Sequence, residues 1–402
     1  MTGAWIVFGV CLACVLYTFA GYPLLLGLWA LVRARPVVKG SFHGSFTILL
    51  AAHNEERNIG RRVEDLRRQI GDRDGEILVI ADGCTDDTAR LAERFMDGRA
   101  PSVRVLAWPE NRGKAAALSA AAVEARGEIL FFADARQTWA DDALTQMLGN
   151  FADPQVGAVS GDLVLESAPG VLAGVGLYWR FEKWLRGRES RVWSQVGVTG
   201  AIAAGRRSLF RLIPAGTLLD DVYWPLAIAM DGHRVVHDAT ARAFDRLPEK
   251  SSAEFRRKVR TLAGNYQLAA LLPASLAPWR NPVWLAWVSH KLARLAAPWA
   301  LIGLLTSALV LGEPLMHAFA AVQVAGYVAG LFGLMTNRSR LLSAAGSFLV
   351  LNAAAWCAFW VWLLGRTGSA WRKVEYNVAA PSHATPEPAA ITMEHGCEGY
   401  PS

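Results

Sequence analysis

Charge is scarce in this chain. Asp, Glu, Lys and Arg make up 19% of its 402 residues, against 53% hydrophobic residues. Disorder needs the reverse balance, so it is excluded for the bulk of the chain. Cysteine is scarce too, and five in a chain of this length are no disulfide framework. Residues 4–32 contain no charged residue at all. That run exceeds the ~20 residues needed to cross a bilayer. A secretory signal carries its positive charge ahead of a shorter apolar core. Here Arg33, Arg35 and Lys39 follow the run instead. The segment reads as a permanent anchor with the next residues on the cytoplasmic side. The mean hydropathy of +0.23 agrees that part of the chain dissolves in lipid. The net charge of +6 then suits cytoplasmic flanks and anionic headgroups rather than nucleic acid.

Apolar character returns in three runs, 295–312, 314–335 and 341–365. Glu313-Pro314 separates the first pair, and Asn337 to Arg340 the second. Trp279, Trp284 and Trp287 suit an interfacial belt. Residues 266–280 read as an amphipathic surface helix. His290, Lys291 and Arg294 read as the cytoplasmic flank of a span. The expected organisation is an anchor over 1–40, a cytoplasmic domain over 41–265, an interfacial helix with about three spans over 266–375, and a flexible tail over 376–402. Four spans put both ends outside, whereas Arg366, Arg372 and Lys373 favour the inside. A transporter with a soluble insert would need charged or broken spans, and 314–335 and 341–365 hold no charge. Cys11 and Cys14 lie inside the anchor and read as packing residues. His233 and His237 read as surface or packing residues rather than metal ligands.

Residues 46–160 alternate strand-like and helix-like stretches. FTILLA (46–51), EILVIA (76–81), VRVLA (103–107) and EILFFA (128–133) each precede a helical segment, and VGAVS (156–160) follows. This alternation predicts an open, mostly parallel α/β sheet, whose ligands bind beyond the carboxyl ends of the strands. No GxGxxG follows the first strand and no Walker loop occurs, which disfavours a dinucleotide or P-loop site. The strand ends carry Ala52-His53-Asn54-Glu55, Asp82-Gly83-Cys84-Thr85-Asp86, Asn111-Arg112-Gly113-Lys114 and Asp134-Ala135-Arg136. Asp82-Gly83 alone reads as a tight turn with Thr85 capping a helix. Carboxylates closing both the second and the fourth strand, in step with a Gly-Lys pair, ask for more than a turn.

With Leu219-Asp220-Asp221 and Arg257-Lys258-Val259-Arg260-Thr261, these motifs make the chain resemble a membrane-integrated family 2 glycosyltransferase. The likeness is to hyaluronan, chitin-oligosaccharide and cellulose synthases and covers about residues 1–375. Asp134-Ala135-Arg136 stands where that family has Asp-x-Asp, Leu219-Asp220-Asp221 where it has Thr-Glu-Asp, and Arg257 to Thr261 where synthases carry Gln-x-x-Arg-Trp. The resemblance implies a GT-A nucleotide-sugar-binding domain joined to transmembrane helices. It implies that Asn54, Glu55 and Asp82 hold the base and ribose. Lys114, Arg136 and Arg257 become substrate-binding residues, with Arg260 on the diphosphate. Asp134 would contact the ribose, the sugar or a metal-bound water.

Asp221 is the candidate general base, at the start of the helix-like VYWPLAIAM; its rival reading, with Asp220, is a helix cap. Two departures stand out. Thr261 replaces the tryptophan that frames the acceptor end in synthases, which argues against processive polymerisation. Arg136 replaces the aspartate that chiefly holds Mg²⁺ or Mn²⁺, leaving Asp134 as the one metal candidate of the motif. Either Arg136 supplies the positive charge itself, or it points away. The aromatic stretch Tyr178 to Leu185 and Gly197-Val198-Thr199-Gly200-Ala201 are expected near the acceptor, with Trp179 and Trp184 facing either sugar or membrane. The expected activity is inverting transfer of a hexosyl or N-acetylhexosaminyl group from a nucleotide sugar, UDP-linked, to a polysaccharide or lipid-linked acceptor. The expected place is the cytoplasmic membrane, in envelope or exopolysaccharide synthesis, alongside envelope-glycan assembly partners. The alternative is a catalytically inactive partner subunit of such a complex.

Overall fold

The computed structural model describes residues 2–166, 173–246, 251–336 and 339–366. The expected tail and the residues Arg372 and Lys373 lie outside them. Eight strands form one sheet: β1 Phe46–Ala52, β2 Gly75–Asp82, β3 Val103–Trp108, β4 Ile129–Asp134, β5 Thr138–Trp139, β6 Val156–Glu166, β7 Ile202–Arg206 and β8 Arg234–Arg246. Their order is β3-β2-β1-β4-β7-β6-β8-β5. The first four are parallel, β7 runs antiparallel to β4 and β6, and β6 pairs in parallel with β8.

The apolar runs of β1 and β4 follow from burial on both faces. Ile48, Leu50 and Phe131 meet Val63, Leu66 and Trp139 on one side. Leu49 and Phe132 meet Leu118 and Trp224 on the other, where the Phe132 and Trp224 rings stack at 4.6 Å. Parallel pairing brings Ala52, Asp82 and Asp134 to the same edge, because β1 aligns Ala52 with Ala81 and Ala51 with Asp134. The intervening helices are α2 Ile59–Ile70, α3 Thr88–Glu93, α4 Lys114–Glu124 and α5 Ala143–Gly149. Helix α1, Thr2–Val32, precedes them.

The later helices are α6 Ala173–Val192, α7 Asp220–Met230, α8 Ser251–Leu271, α9 Trp284–Leu311, α10 Pro314–Thr336 and α11 Leu341–Leu363. Among the described residues four helices, α1, α9, α10 and α11, are long and apolar enough to cross a membrane. Much of the surface of α1 and α10 is exposed and apolar, which lipid can cover. Helices α1 and α9 pack closely, and a Cβ at Gly303 would lie 2.5 Å from Cys11 Sγ. That contact gives Cys11 the packing role expected of it.

The amphipathic helix lies further upstream than expected. It is α8, whose Val259 and Ala263 pack on Ala354 and Ala358 of α11. Tyr266 stacks on Trp362 at 5.2 Å. The expected boundary near 265 therefore falls inside a helix, and the arginines of 256–260 sit on it. Helix α9 likewise starts earlier, at Trp284, so His290, Lys291 and Arg294 lie on this helix, near its start.

Candidate active site

Asp82 ends β2 and is buried. Its Oδ1 accepts the Arg112 N–H at 2.7 Å and its Oδ2 the Gly113 N–H at 2.8 Å. The carboxylate thereby pins the loop that starts α4. Gly83, at φ +60°, lets that loop pass: a Cβ there would lie 2.2 Å from Asn111 N. Asn54, itself at φ +53°, accepts the Thr85 N–H at 2.8 Å. Glu55 donates its N–H to Thr88 Oγ1 at 2.7 Å and its carboxylate accepts Asn58 Nδ2 at 2.8 Å. Asp86, rather than the expected Thr85, accepts the N–H of Thr88 at the start of α3, at 3.0 Å.

Lys114 opens α4 and reaches Asp134 at the end of β4, Nζ to Oδ1 2.7 Å. Asp220 Oδ2 lies 3.8 Å from the same nitrogen. Burial works against the ammonium charge, but Asp134 and then Asp220 outweigh it and raise the Lys114 pKa. Asp220 and Asp221 occupy the first turn of α7. The cap position belongs to Leu219, which contributes no side-chain bond. Gly200 stands between the two charged centres: a Cβ there would lie 3.5 Å from Lys114 Nζ and 3.9 Å from Asp221 Oδ2. Burial, with repulsion from Asp220, pushes the Asp221 pKa up to about 6 against the pull of Lys114, Arg186 and Arg260. Helix α8 braces this turn, because Gln267 Oε1 accepts the Leu218 N–H at 2.9 Å.

Arg136 does not point away from the site. It lines the cavity and donates from Nη2 to Asp245 Oδ2 at 2.6 Å. Gln137 Nε2 donates to the same oxygen at 2.9 Å. The sequence reading missed Asp245. A lone acid at the end of a strand-like run gave no signal until β8 was placed beside β5 and β6. Metal ligation fits poorly here. Asp134 already holds Lys114, and no group of three His, Cys, Asp or Glu suited to a metal occurs among the described residues.

Lys114, Asp134, Arg136, Asp221, Arg257 and Arg260 all line one cavity of about 1070 Å³. Asn54, Glu55 and Asp82 do not line it; they shape the loops beside it. Arg257 is committed in part to Glu254, Nε to Oε2 2.9 Å. Trp179 lines the cavity and donates to the Leu163 carbonyl at 3.1 Å. Trp184 instead packs on the anchor, its ring 3.5 Å from where a Cβ of Gly27 would be. Trp179 thus faces the cavity and Trp184 the N-terminal helix. His237 is largely enclosed, and loss of solvent pushes its pKa down to about 4, in keeping with packing.

Residues 47–213 match the family described as Glycosyl transferase family 2. These residues are a family 2 glycosyltransferase domain. The match ends before Asp220 and Asp221, so the family assignment and the position of the candidate base are independent observations. The poly-beta-1,6-N-acetyl-D-glucosamine synthases of Staphylococcus aureus strains COL and MSSA476 are 25% identical over 234 residues, 55% of this chain and 55% of theirs. The chain thus matches about half the length of these curated relatives. A mannosyltransferase from Pyrobaculum calidifontis, solved with GDP-Man and Mn²⁺, superposes with a TM-score of 0.67 at 24% identity, over 90% of this chain and 99% of that one. This superposition shows a fold of the GT-A type. Outside this domain lie the four helices long and apolar enough to cross a membrane.

Proposed function

We propose that this glycosyltransferase inverts the anomeric centre of a nucleotide sugar, UDP-linked, in a single displacement with Asp221 as general base. The acceptor is a polysaccharide or a lipid-linked glycan at the cytoplasmic membrane, the domain faces the cytoplasm, and the pathway is envelope or exopolysaccharide synthesis with its assembly partners. The N-acetylglucosamine polymer named for the staphylococcal relatives supports an N-acetylhexosaminyl or hexosyl donor.

The observation that carries this reading is the Asp221 carboxylate with its pKa near 6, across Gly200 from the Lys114–Asp134 pair. A base of that strength is ionised at neutral pH yet takes a proton readily in a transition state. Asp82 fixes the loop that aims Lys114. Lys114, Arg136 and Arg260 supply positive charge toward a leaving diphosphate, a role that elsewhere falls to a metal held by two aspartates. Asn54 and Glu55 act by shaping the base-side loops. The inactive-partner alternative gains no support, because Lys114, Asp134 and Asp221 remain together in one cavity.

The test uses the full chain in detergent with a panel of UDP- and GDP-sugars and follows free nucleotide. One donor should release nucleotide, and Asp221→Asn should lower that release about a hundredfold or more. A chain that neither binds nor cleaves any nucleotide sugar would sink the proposal.

A further inference from the structure

The cavity has two chemically different halves. The half at the strand ends carries Asp134, Asp220, Asp221 and Asp245 beside Lys114 and Arg136. The half toward α9 and α11 carries six bases: Arg186, Arg257, Lys258, Arg260, Lys291 and Arg294. The acids in that part of the lining, among the described residues, are Glu182 and Glu254. Glu182 receives His290 Nε2 at 2.9 Å, Arg294 Nη1 at 2.8 Å and Lys291 Nζ at 3.1 Å. Burial opposes its charge, yet these neighbours hold its carboxyl well below the usual range. On the far side of His290, Glu189 contacts Nδ1 at 2.8 Å and accepts Tyr22 Oη of the anchor at 2.8 Å. The basic half is therefore built into the junction of α1, α6 and α9.

Beyond the bases the wall turns apolar. Phe19 of α1 meets Phe348 of α11 at 5.1 Å, and Ala344, Leu351 and Ala355 continue the surface. A glycan needs hydroxyl partners and aromatic faces along its track. This wall has aromatic rings, but its polar side chains are only Ser347 and Asn352 among Ala344 to Ala355, and Asn352 Nδ2 already donates to the Phe348 carbonyl at 2.9 Å. A positive excess beside an aliphatic wall, between membrane helices, suits an anionic lipid headgroup and its chain. A bound phosphate also fits Arg geometry.

We propose that the membrane-facing half of this cavity binds the acceptor, a lipid whose headgroup carries both a phosphate ester and a free hydroxyl. Arg186, Lys291 and Arg294 hold the phosphate, and the Phe19–Phe348 wall takes the chain. The hydroxyl is thereby delivered to Asp221. Its oxygen forms the bond to the anomeric carbon, its proton passes to Asp221, and the bond from that carbon to the diphosphate breaks, the nucleoside diphosphate leaving with the electron pair. This inference rests on the glycosyltransferase reading above and narrows its acceptor.

The test is native mass spectrometry of the full chain in detergent with four probes. Phosphatidylglycerol has phosphate, hydroxyl and chains; phosphatidic acid lacks the headgroup hydroxyl; diacylglycerol lacks the phosphate; glycerol phosphate lacks the chains. The two phospholipids should be retained about tenfold more tightly than diacylglycerol or glycerol phosphate. Lys291→Gln should erase most of that preference; Glu182 keeps His290 and Arg294, so the junction stays charged-paired. Leu351→Trp, which fills the apolar half without touching a charge, should weaken retention of both phospholipids. Equal retention of diacylglycerol and phosphatidic acid overturns the phosphate site. Retention of glycerol phosphate as tight as that of phosphatidylglycerol overturns the chain site. In a second arm, vesicles of total bacterial polar lipid receive the chain and a radiolabelled donor. Label should enter the organic-extractable lipid; label confined to water-soluble polymer overturns the acceptor assignment. Binding of nucleotide is measured in parallel. A chain that retains the phospholipids but binds no nucleotide sugar breaks the enzymatic reading and the acceptor role with it, leaving a lipid site, whereas the reverse breaks only this inference.

Discussion

Arg136 Nη2 and Asp245 Oδ2 lie 2.6 Å apart, joining the end of β4 to the end of β8. The residue that replaces a metal-binding aspartate is thus fixed by a carboxylate that only the sheet topology supplies. Asp245 is buried, and removal of its partner leaves a charge in a poor environment. Arg136→Ala should cost about 1–3 kcal/mol of stability, and Arg136→Ala with Asp245→Ala should recover part of it. Thermal melts of the two single variants and the double variant check this. In the nucleotide-release assay, release by the unmodified chain should persist in EDTA. Complete loss in EDTA, restored by Mn²⁺, would show that Asp134 holds a metal after all.

As the proposed general base, Asp221 sets the expected pH behaviour of the reaction. With its pKa raised to about 6, nucleotide release should rise through that pH and level off above pH 7. The same shift has the opposite effect on stability. Below about pH 4 the carboxyl is protonated both folded and unfolded, and no penalty arises. Between about pH 4 and 6 the unfolded chain loses the proton that the fold retains, so stability falls, and above pH 6 the penalty is full. Asp221→Asn should therefore raise the melting temperature at pH 7, by stabilisation on the order of 1–2 kcal/mol, while abolishing transfer. A lowered melting temperature would refute the buried-charge account.

Gly200 leaves room for one carbon and no more. A Cβ would meet Lys114 Nζ and Asp221 Cβ at 3.5 and 3.6 Å, which is ordinary contact. Gly200→Ala should keep activity within about threefold. Gly200→Val should lower it about a hundredfold by wedging the base away from the Lys114–Asp134 pair, a displacement to which catalysis is sensitive. Equal activity of the two variants would place the reacting atoms elsewhere.

Asp82 acts at one remove from the chemistry. Asn in its place can accept one of the two N–H groups and turns a donor toward the other. A loss of about 1–3 kcal/mol of loop stabilisation follows. Asp82→Asn should raise the donor KM more than it lowers kcat, because the loop places Lys114. A pure kcat defect would give Asp82 a direct role in the reaction.

How legible the molecule was depends on the range of the contacts. The parallel sheet was legible because β1, β2 and β4 are buried on both faces and must be apolar throughout, as Leu49, Leu78 and Phe132 show. The motif residues at its edge were legible because strand ends carry the ligands in such sheets. Asp245 was not, since it gains its role from the pairing of β8 with β5 and β6. Nor were the roles of His290 and Lys291, which their local setting marked as a charged flank. Glu182 and Glu189, a hundred residues earlier, make them part of a buried network instead.

By itself the sequence determined the long apolar helices, the strand–helix alternation and the short list of candidate reactive side chains. Each of these follows from local hydropathy, spacing and residue chemistry. Only the tertiary structure decided which carboxylates face which cations, that Asn54 and Glu55 shape loops while Trp179 lines the cavity, and that basic residues of α6, α8 and α9 share one cavity with Asp221. Charge and burial act through space, and the partners that set them here are dispersed along the chain from Tyr22 to Ala355.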